Sequence, residues 1–77
     1  MVVLDALKNF KGVIEELNNL IKLYPNHSLT ADAMLIIANS QLELDLKMAA
    51  KNTLKTIIKK YPESKAALAA NNRLKIL

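Results

Sequence analysis

The sequences LIKLYP at residues 20–25 and IIKKYP at residues 57–62 decide the fold of this chain. Each closes an apolar segment with a Tyr-Pro pair, and the two pairs stand 37 residues apart (61 − 24 = 37). Proline lacks an amide hydrogen and pushes the residue before it out of helical geometry, so each pair is expected to end a helix. The recurrence predicts a repeated helix–turn–helix unit whose period is in the solenoid range.

Sliding the chain on itself by 37 residues aligns further positions of the same character. Leu17 falls on Leu54, Leu20 on Ile57, Ile21 on Ile58, Ala33 on Ala70, and Ile37 on Leu74. Units of this kind cannot bury their apolar face alone, and they stack into a superhelix with a concave groove. The predicted fold class is therefore all-α, built from antiparallel helix-turn-helix repeats.

Hydrophobic periodicity divides the chain into four helical segments. The predicted bounds are about Val3–Leu23, a start after Ser28 or Thr30 with an end near Leu44–Asp45, Lys47–Lys60, and Lys65–Leu77. Ser28 and Thr30 are both good N-caps, and Asp32 would complement the dipole in the first turn of the second helix.

Composition agrees with a few long helices joined by short links. The 77 residues are 52% hydrophobic and include one Gly and two Pro. The net charge of +4 mildly favours acidic partners. Without cysteine there is no disulfide and no thiolate metal site. No apolar run approaches the roughly 20 residues of a membrane helix, so no membrane insertion is expected. The first residues lack the features of a signal peptide, although a targeting sequence could lie upstream.

The sequence offers no catalytic constellation, no metal site and no cofactor motif. His27 is the single histidine and has no second nitrogen or sulfur ligand in the chain to accompany it. It stands beside Ser28, but adjacent loop residues point apart and do not form a nucleophile pair. A role in a capping turn is strongly favoured for His27. The chain is predicted not to be an enzyme.

A basic stripe runs along the third segment at i, i+4 spacing. It consists of Lys47, Lys51, Lys55 and Lys59. The functional interpretation is contact with an anionic partner, and the simpler interpretation, favoured about two to one, is a solvated outer face. Nucleic acid is disfavoured because no aromatic residues interleave with the lysines and the net charge is modest.

Counted from Ala31, the chain resembles the tetratricopeptide repeat family. The positions that fit its pattern are Met34, Ile37, Ala38, Ala50, Leu54 and Pro62. The departures are Gln41 at the usual aromatic position, and Asp45 and Lys47 where Gly and an aromatic residue are usual. The resemblance implies a single domain over residues 1–77, with a helix or helix pair of a preceding repeat (1–24), one full repeat (29–61) and a C-terminal capping helix (65–77).

A narrower resemblance is to the last repeat of the periplasmic YbgF (CpoB) family of the Tol-Pal system. It rests on residues 31–35, on Ala50 and residues 53–54, on the turn and Ala-rich start of residues 57–67, and on Arg73-Leu74. It implies a longer protein with a signal peptide, located in the periplasm of a Gram-negative bacterium. It also implies a TolA-like protein partner and a role in envelope constriction during cell division.

The tetratricopeptide resemblance also implies which residues face the concave surface. They are Asp32, Leu35, Asn39, Leu42 and Glu43, to which the 37-residue shift adds Ala69, Asn72 and Ile76. Leu35, Asn39 and Glu43 form one stripe that suits an extended or helical peptide. The alternative, at even odds, is that Leu35 packs in the core while Asn39 and Glu43 are merely solvated.

Two features of the sequence bear on how the chain assembles with other copies or repeats. The shift places a turn near Lys8-Asn9, since Lys8 falls on Asp45, whereas the heptad-like spacing favours one unbroken helix with an apolar seam. Such a seam, or an exchange of helices, would allow two chains to dimerise. At the other end, Lys75 takes the position of Ala38, so the fourth segment is expected to cap the stack. The predicted function is a non-catalytic protein-binding module, and the alternative is a self-associating structural module.

Overall fold

The computed structural model describes the backbone of residues 2–77 and the side chains of residues 9–77. Its four helices are α1 (Val2–Leu23), α2 (Thr30–Glu43), α3 (Lys47–Lys60) and α4 (Lys65–Ile76). The described residues contain no strand. Each helix packs against the next in the chain, and α2 also packs directly against α4. The all-α prediction is confirmed.

The core lies where α2, α3 and α4 meet. Its buried residues are Ala31, Ala38, Leu54, Ile57, Ala66, Ala67 and Ala70, with Met34, Leu35, Ile58, Tyr61 and Leu74 packed against them. Alanine dominates the contact surfaces of α2 and α4, and its small side chain lets the helix axes approach closely. The larger residues Leu54 and Ile57 of α3 fill the space between the two helices.

The turn between α2 and α3 is built on Asp45. This residue has a φ of 62°, in the left-handed region that glycine favours. The Leu46 amide donates to the Gln41 carbonyl at 2.8 Å, and the Asp45 amide donates to the Leu42 carbonyl at 3.0 Å. These are the two hydrogen bonds of a Schellman motif, so Asp45 takes the place of the usual glycine.

Gln41, the other departure from the repeat pattern, has a partner in α3. The Thr53 hydroxyl donates to Gln41 Oε1 at 2.7 Å and also contacts the Ala49 carbonyl at 3.0 Å. A side-chain hydrogen bond therefore joins α2 to α3 at the point where the pattern would place an aromatic contact.

The two Tyr-Pro corners are closed by different residues. At the second corner, Ser64 caps α4, because its Oγ accepts from the Ala67 amide at 3.0 Å and donates to the Tyr61 carbonyl at 2.7 Å. At the first corner, His27 stands 37 residues before Ser64, and its Nδ1 accepts from the Leu29 amide at 3.1 Å. This bond places His27 in the turn before α2, but its donor is the amide of the N-cap residue Leu29, so His27 does not cap the first turn of the helix.

The prediction that Ser28 or Thr30 caps α2 is wrong. The N-cap position is Leu29, and it makes no side-chain capping bond. Thr30 is the first helical residue, and its hydroxyl donates to the Tyr24 carbonyl at 2.6 Å. Thr30 thus lies one residue past the N-cap position, and its hydroxyl ties the start of α2 back to the end of α1. The Tyr61 hydroxyl donates to the Pro25 carbonyl and joins the two corners.

α1 runs unbroken through Lys8 and Asn9. The heptad-like interpretation therefore describes this segment, and the turn that the 37-residue shift would place there is not formed. Phe10, Ile14, Leu17 and Ile21 form the half-buried side of α1. The part of the predicted apolar seam before residue 9 lies outside the described side chains.

Candidate functional site

The residues predicted to face the concave surface divide between α2 and α4. On α2, Asp32 and Glu43 are exposed, while Leu35, Asn39 and Leu42 are half-buried. On α4, Asn72 and Ile76 are exposed and Ala69 is half-buried. Because α2 and α4 pack against each other, the two sets lie on adjacent helices. We call them together the α2–α4 face.

Leu35 contacts both the buried core and the solvent. It packs against the buried core cluster, and it is still partly accessible to solvent. Both interpretations of this residue from the sequence therefore describe part of its surroundings. It supplies an apolar contact at the edge of the core, one helical turn before Asn39.

Asn39 is the distinctive polar residue of the α2–α4 face. Its side-chain oxygen Oδ1 is buried and has no hydrogen-bond partner among the described residues. Buried polar groups are nearly always hydrogen-bonded, and an unsatisfied one costs about 1–3 kcal/mol. The α2–α4 face thus contains an amide whose oxygen is left without a donor by the described residues of the unbound chain.

Charge is distributed unevenly among the helices. α2 carries two acids, Asp32 and Glu43, and no base. α3 carries five lysines and no acid. Within the basic stripe, Lys47, Lys55 and Lys59 are exposed and Lys51 is half-buried, whereas Leu54 and Ile57 on the opposite side of α3 are buried. The stripe is a solvent-facing edge, and its binding of an anionic partner stays a prediction.

A groove that shares only Asp32 with the predicted site lies between α1 and α2. It encloses about 580 Å³ and is lined by Leu20, Ile21, Tyr24, His27, Leu29, Thr30, Asp32, Ala33 and Ile36. We call it the α1–α2 groove. The sequence signal for it was the 37-residue shift itself, because the shift aligns α1 with α3 and the start of α2 with α4, and α2 packs against both α3 and α4. The shift was used to find the buried positions and not the uncovered ones.

The described residues 9–77 contain no group of three His, Asp or Glu side chains placed to hold a metal ion. Among the helices that the structure describes, none combines the length and apolar character needed to cross a membrane. The chemistry available on the α2–α4 face and in the α1–α2 groove is therefore apolar contact, amide hydrogen bonding and charge pairing.

Residues 32–64 match the sequence profile of the tetratricopeptide repeat family. The matched segment includes most of α2, all of α3 and the corner before α4. The match supports the interpretation of this chain as a tetratricopeptide-repeat protein. Together with the four helices, it confirms the predicted all-α helical-repeat fold. Repeats of this family generally mediate protein–protein interactions and are typically non-catalytic. No curated protein matches the chain.

Proposed function

We propose that this chain is a non-catalytic protein-binding module that holds a peptide segment of its partner on the α2–α4 face. The observation that carries the proposal is the line of half-buried Leu35, half-buried Asn39 and exposed Glu43 along α2, inside the segment that matches the tetratricopeptide repeat profile. The backbone of a bound peptide offers hydrogen-bond donors and acceptors to the Asn39 amide, whose buried oxygen must first rotate into reach. Pairing that oxygen would remove a penalty that the unbound chain carries.

The neighbours of Asn39 define what kind of peptide fits. Leu35, one turn earlier, offers apolar surface, and Glu43, one turn later, offers an exposed carboxylate. Asp32 adds a second carboxylate at the start of α2. A segment with an apolar residue flanked by Lys or Arg is complementary to this arrangement. On α4, Ala69 leaves room beside the peptide, and Asn72 provides a further amide.

The same proposal includes a finer identity. Residues 29–61 would be one full repeat, 65–77 its cap and 1–24 a helix of the repeat before, at the C-terminal end of an adaptor of the Tol-Pal system. Its partner would be TolA-like and its location the periplasm. The support is the resemblance of residues 57–67 and of Arg73-Leu74 to the last repeat of the YbgF family.

Asn39→Ala tests the role of the α2–α4 face. Peptides would first be selected on the immobilised chain from a random display library and then measured by calorimetry. We expect Asn39→Ala to weaken binding about tenfold, equivalent to about 1.4 kcal/mol. The matched control is Asn52→Ala on the exposed outer side of α3, which should leave affinity unchanged.

The free chain provides an independent reading of the same variant. Asn39→Ala removes an unsatisfied buried group, so the free energy of unfolding should stay level or rise by up to about 1 kcal/mol. A loss of stability together with unchanged peptide affinity would show that Asn39 is a structural residue, and the proposal would fail.

The Tol-Pal identity has its own test. The periplasmic domain of a TolA protein is titrated into the chain and into its Asn39→Ala variant, and binding should be saturable and weaker for the variant. Absence of binding to TolA, with selected peptides still bound at the α2–α4 face, would refute the Tol-Pal identity and retain the binding module. Protease protection in intact cells and its loss in spheroplasts would test the periplasmic location.

A further inference from the structure

The α1–α2 groove is an apolar surface that the described part of the chain, residues 9–77, leaves uncovered. Leu20 is 48% exposed, Tyr24 56%, Leu29 61% and Ile36 50%. With Ala33 at its floor, the groove gathers these side chains between two helices. Contiguous apolar surface of this kind on a small chain marks an interaction site.

The chain contains its own template for what fits there. The 37-residue shift carries α1 onto α3 and the start of α2 onto α4, so the equivalent groove lies between α3 and α4. That groove is filled by α2, which packs against both helices. The contacting residues of α2 stand at i, i+3, i+4 and i+7, namely Ala31, Met34, Leu35 and Ala38. The occupant of this type of groove is therefore an α-helix with a stripe of small and apolar residues.

We infer that the α1–α2 groove binds an amphipathic α-helix of another protein, with a small or apolar stripe at i, i+3, i+4 and i+7 and a Lys or Arg facing Asp32. The charge of the groove determines why the bound helix should carry a basic residue. Asp32 is exposed and is the carboxylate among the lining residues, which include no Lys or Arg. A basic side chain beside the stripe is complementary to it, and an acidic one is repelled.

A second copy of this chain is a poor occupant. The helix of a second copy with an uncovered equivalent face is α4, and the shift gives that face as Leu68, Asn71, Asn72 and Lys75. Lys75 would occupy the place of Ala38, which is fully buried in its own groove. Burying a lysine without a partner is strongly unfavourable. A two-fold pairing of two α1–α2 grooves would set the Asp32 carboxylates of both copies at one interface.

The probe is a synthetic 16-residue helical peptide, N-acetylated and C-amidated. Its stripe is Ala, Leu, Leu and Ala at i, i+3, i+4 and i+7, and Lys flanks the stripe. A matched peptide carries Glu in place of those lysines. Titrations of the full chain are followed by amide chemical shifts. We expect saturable shifts at residues 20–36, followed separately from any shifts around Asn39, and at least tenfold tighter binding of the Lys peptide than of the Glu peptide at residues 20–36.

Three variants locate the site. Leu20→Glu and Ile36→Glu should each weaken binding of the Lys peptide at least tenfold, while Leu68→Glu, a similarly exposed apolar position on α4, should not. Asp32→Lys should reverse the preference between the two peptides. Asn39→Ala should leave the affinity unchanged, which separates this site from the α2–α4 face.

Other outcomes overturn the inference. One is shifts centred on α4, or equal affinity for both peptides. Another is a concentration-dependent dimer in light scattering that Ile36→Glu dissociates, because the groove then holds a second copy. A third is a longer natural form of the protein that fails to bind the Lys peptide, because its own upstream helix then fills the groove.

Discussion

α1 and α3 share an apolar pattern in sequence, but they lie in different surroundings in the fold. The 37-residue shift aligns Val13 with Ala50, Leu17 with Leu54, and Leu20 with Ile57. On α3 these positions are fully buried, at 0% exposure. On α1, Val13 is 36% exposed, Leu20 is 48% exposed, and Leu17 is half-buried.

The difference shows that burial in this fold is set by neighbours. α3 lies between α2 and α4, whereas α1 contacts α2 alone among the other three helices. An apolar stripe on a helix indicates which face can pack against another helix. Whether that face is buried depends on the helices of the neighbouring repeat. The following variants break or sharpen this comparison.

The largest expected effect is at the aligned leucines. Leu54→Ala should lower the free energy of unfolding by about 3 kcal/mol, because it opens a cavity in a fully buried site. Leu17→Ala should cost about 1 kcal/mol, because solvent already reaches that side chain. Urea unfolding followed by circular dichroism measures both.

If Leu54→Ala does not fold, Ile57→Val provides a milder version, expected to cost about 1 kcal/mol against nearly nothing for Leu20→Val. Equal costs at the aligned positions would mean that α1 is covered in solution, and that its surroundings match those of α3.

The helix caps come next. Ser64→Ala should cost about 1 kcal/mol, because it leaves the Ala67 amide without its acceptor. His27→Ala removes one exposed hydrogen bond at the equivalent corner and should cost less than about 0.5 kcal/mol. Thermal unfolding of the two variants under one buffer condition compares the corners, and a larger loss for His27→Ala would reverse their assignment.

The tyrosines separate the corners further. Tyr61→Phe removes the hydroxyl that donates to the Pro25 carbonyl and should cost about 0.5 kcal/mol. Tyr24→Phe is the matched change at a 56% exposed residue and should be neutral. Chemical denaturation resolves the difference if both variants keep the parent's m-value. A neutral Tyr61→Phe would mean that the bond between corners contributes nothing to stability.

The smallest effects compare the turn after α2 with its equivalent in α1. Asp45→Gly should raise the free energy of unfolding by up to about 0.5 kcal/mol, because glycine adopts positive φ without steric cost. Lys8→Gly should have the opposite sign, since α1 is helical there and glycine weakens helix interiors. Gains at both positions would indicate that α1 turns near Lys8 after all.

Much of this architecture could be predicted from the sequence. The periodicity and the two Tyr-Pro pairs identified the helices, because proline ends a helix whatever surrounds it. The turn at Asp45 could not be fixed, because aspartate adopts left-handed φ less readily than glycine and only the surrounding hydrogen bonds select it. The cap of α2 was misassigned because Thr30 lies inside the helix as its first residue, and Leu29, which takes the N-cap position, has no side-chain acceptor.

The candidate site also has features that could be predicted from the sequence and features that could not. The positions on the α2–α4 face came from a family pattern, and their role in binding stays a prediction. The buried state of Asn39 Oδ1 could not be read from spacing, because it depends on how α2 sits among its neighbours. Hydrophobic periodicity could not identify the α1–α2 groove for a related reason. An apolar stripe does not indicate which of its residues remain exposed in the folded chain.

Charge differs between the helices, but it does not divide the molecule in two. α2 carries two acids, whereas α3 carries five lysines and α4, beside α2, adds Lys65, Arg73 and Lys75. The electrostatic potential outside the molecule is therefore positive overall, in keeping with the net charge of +4, and it favours the approach of an anionic polymer or membrane to the α3 side. A basic segment is attracted only once it lies close to the α2 carboxylates. Salt, which shortens the Debye length, should accordingly slow the association of an anionic partner and leave that of a basic one unchanged or faster.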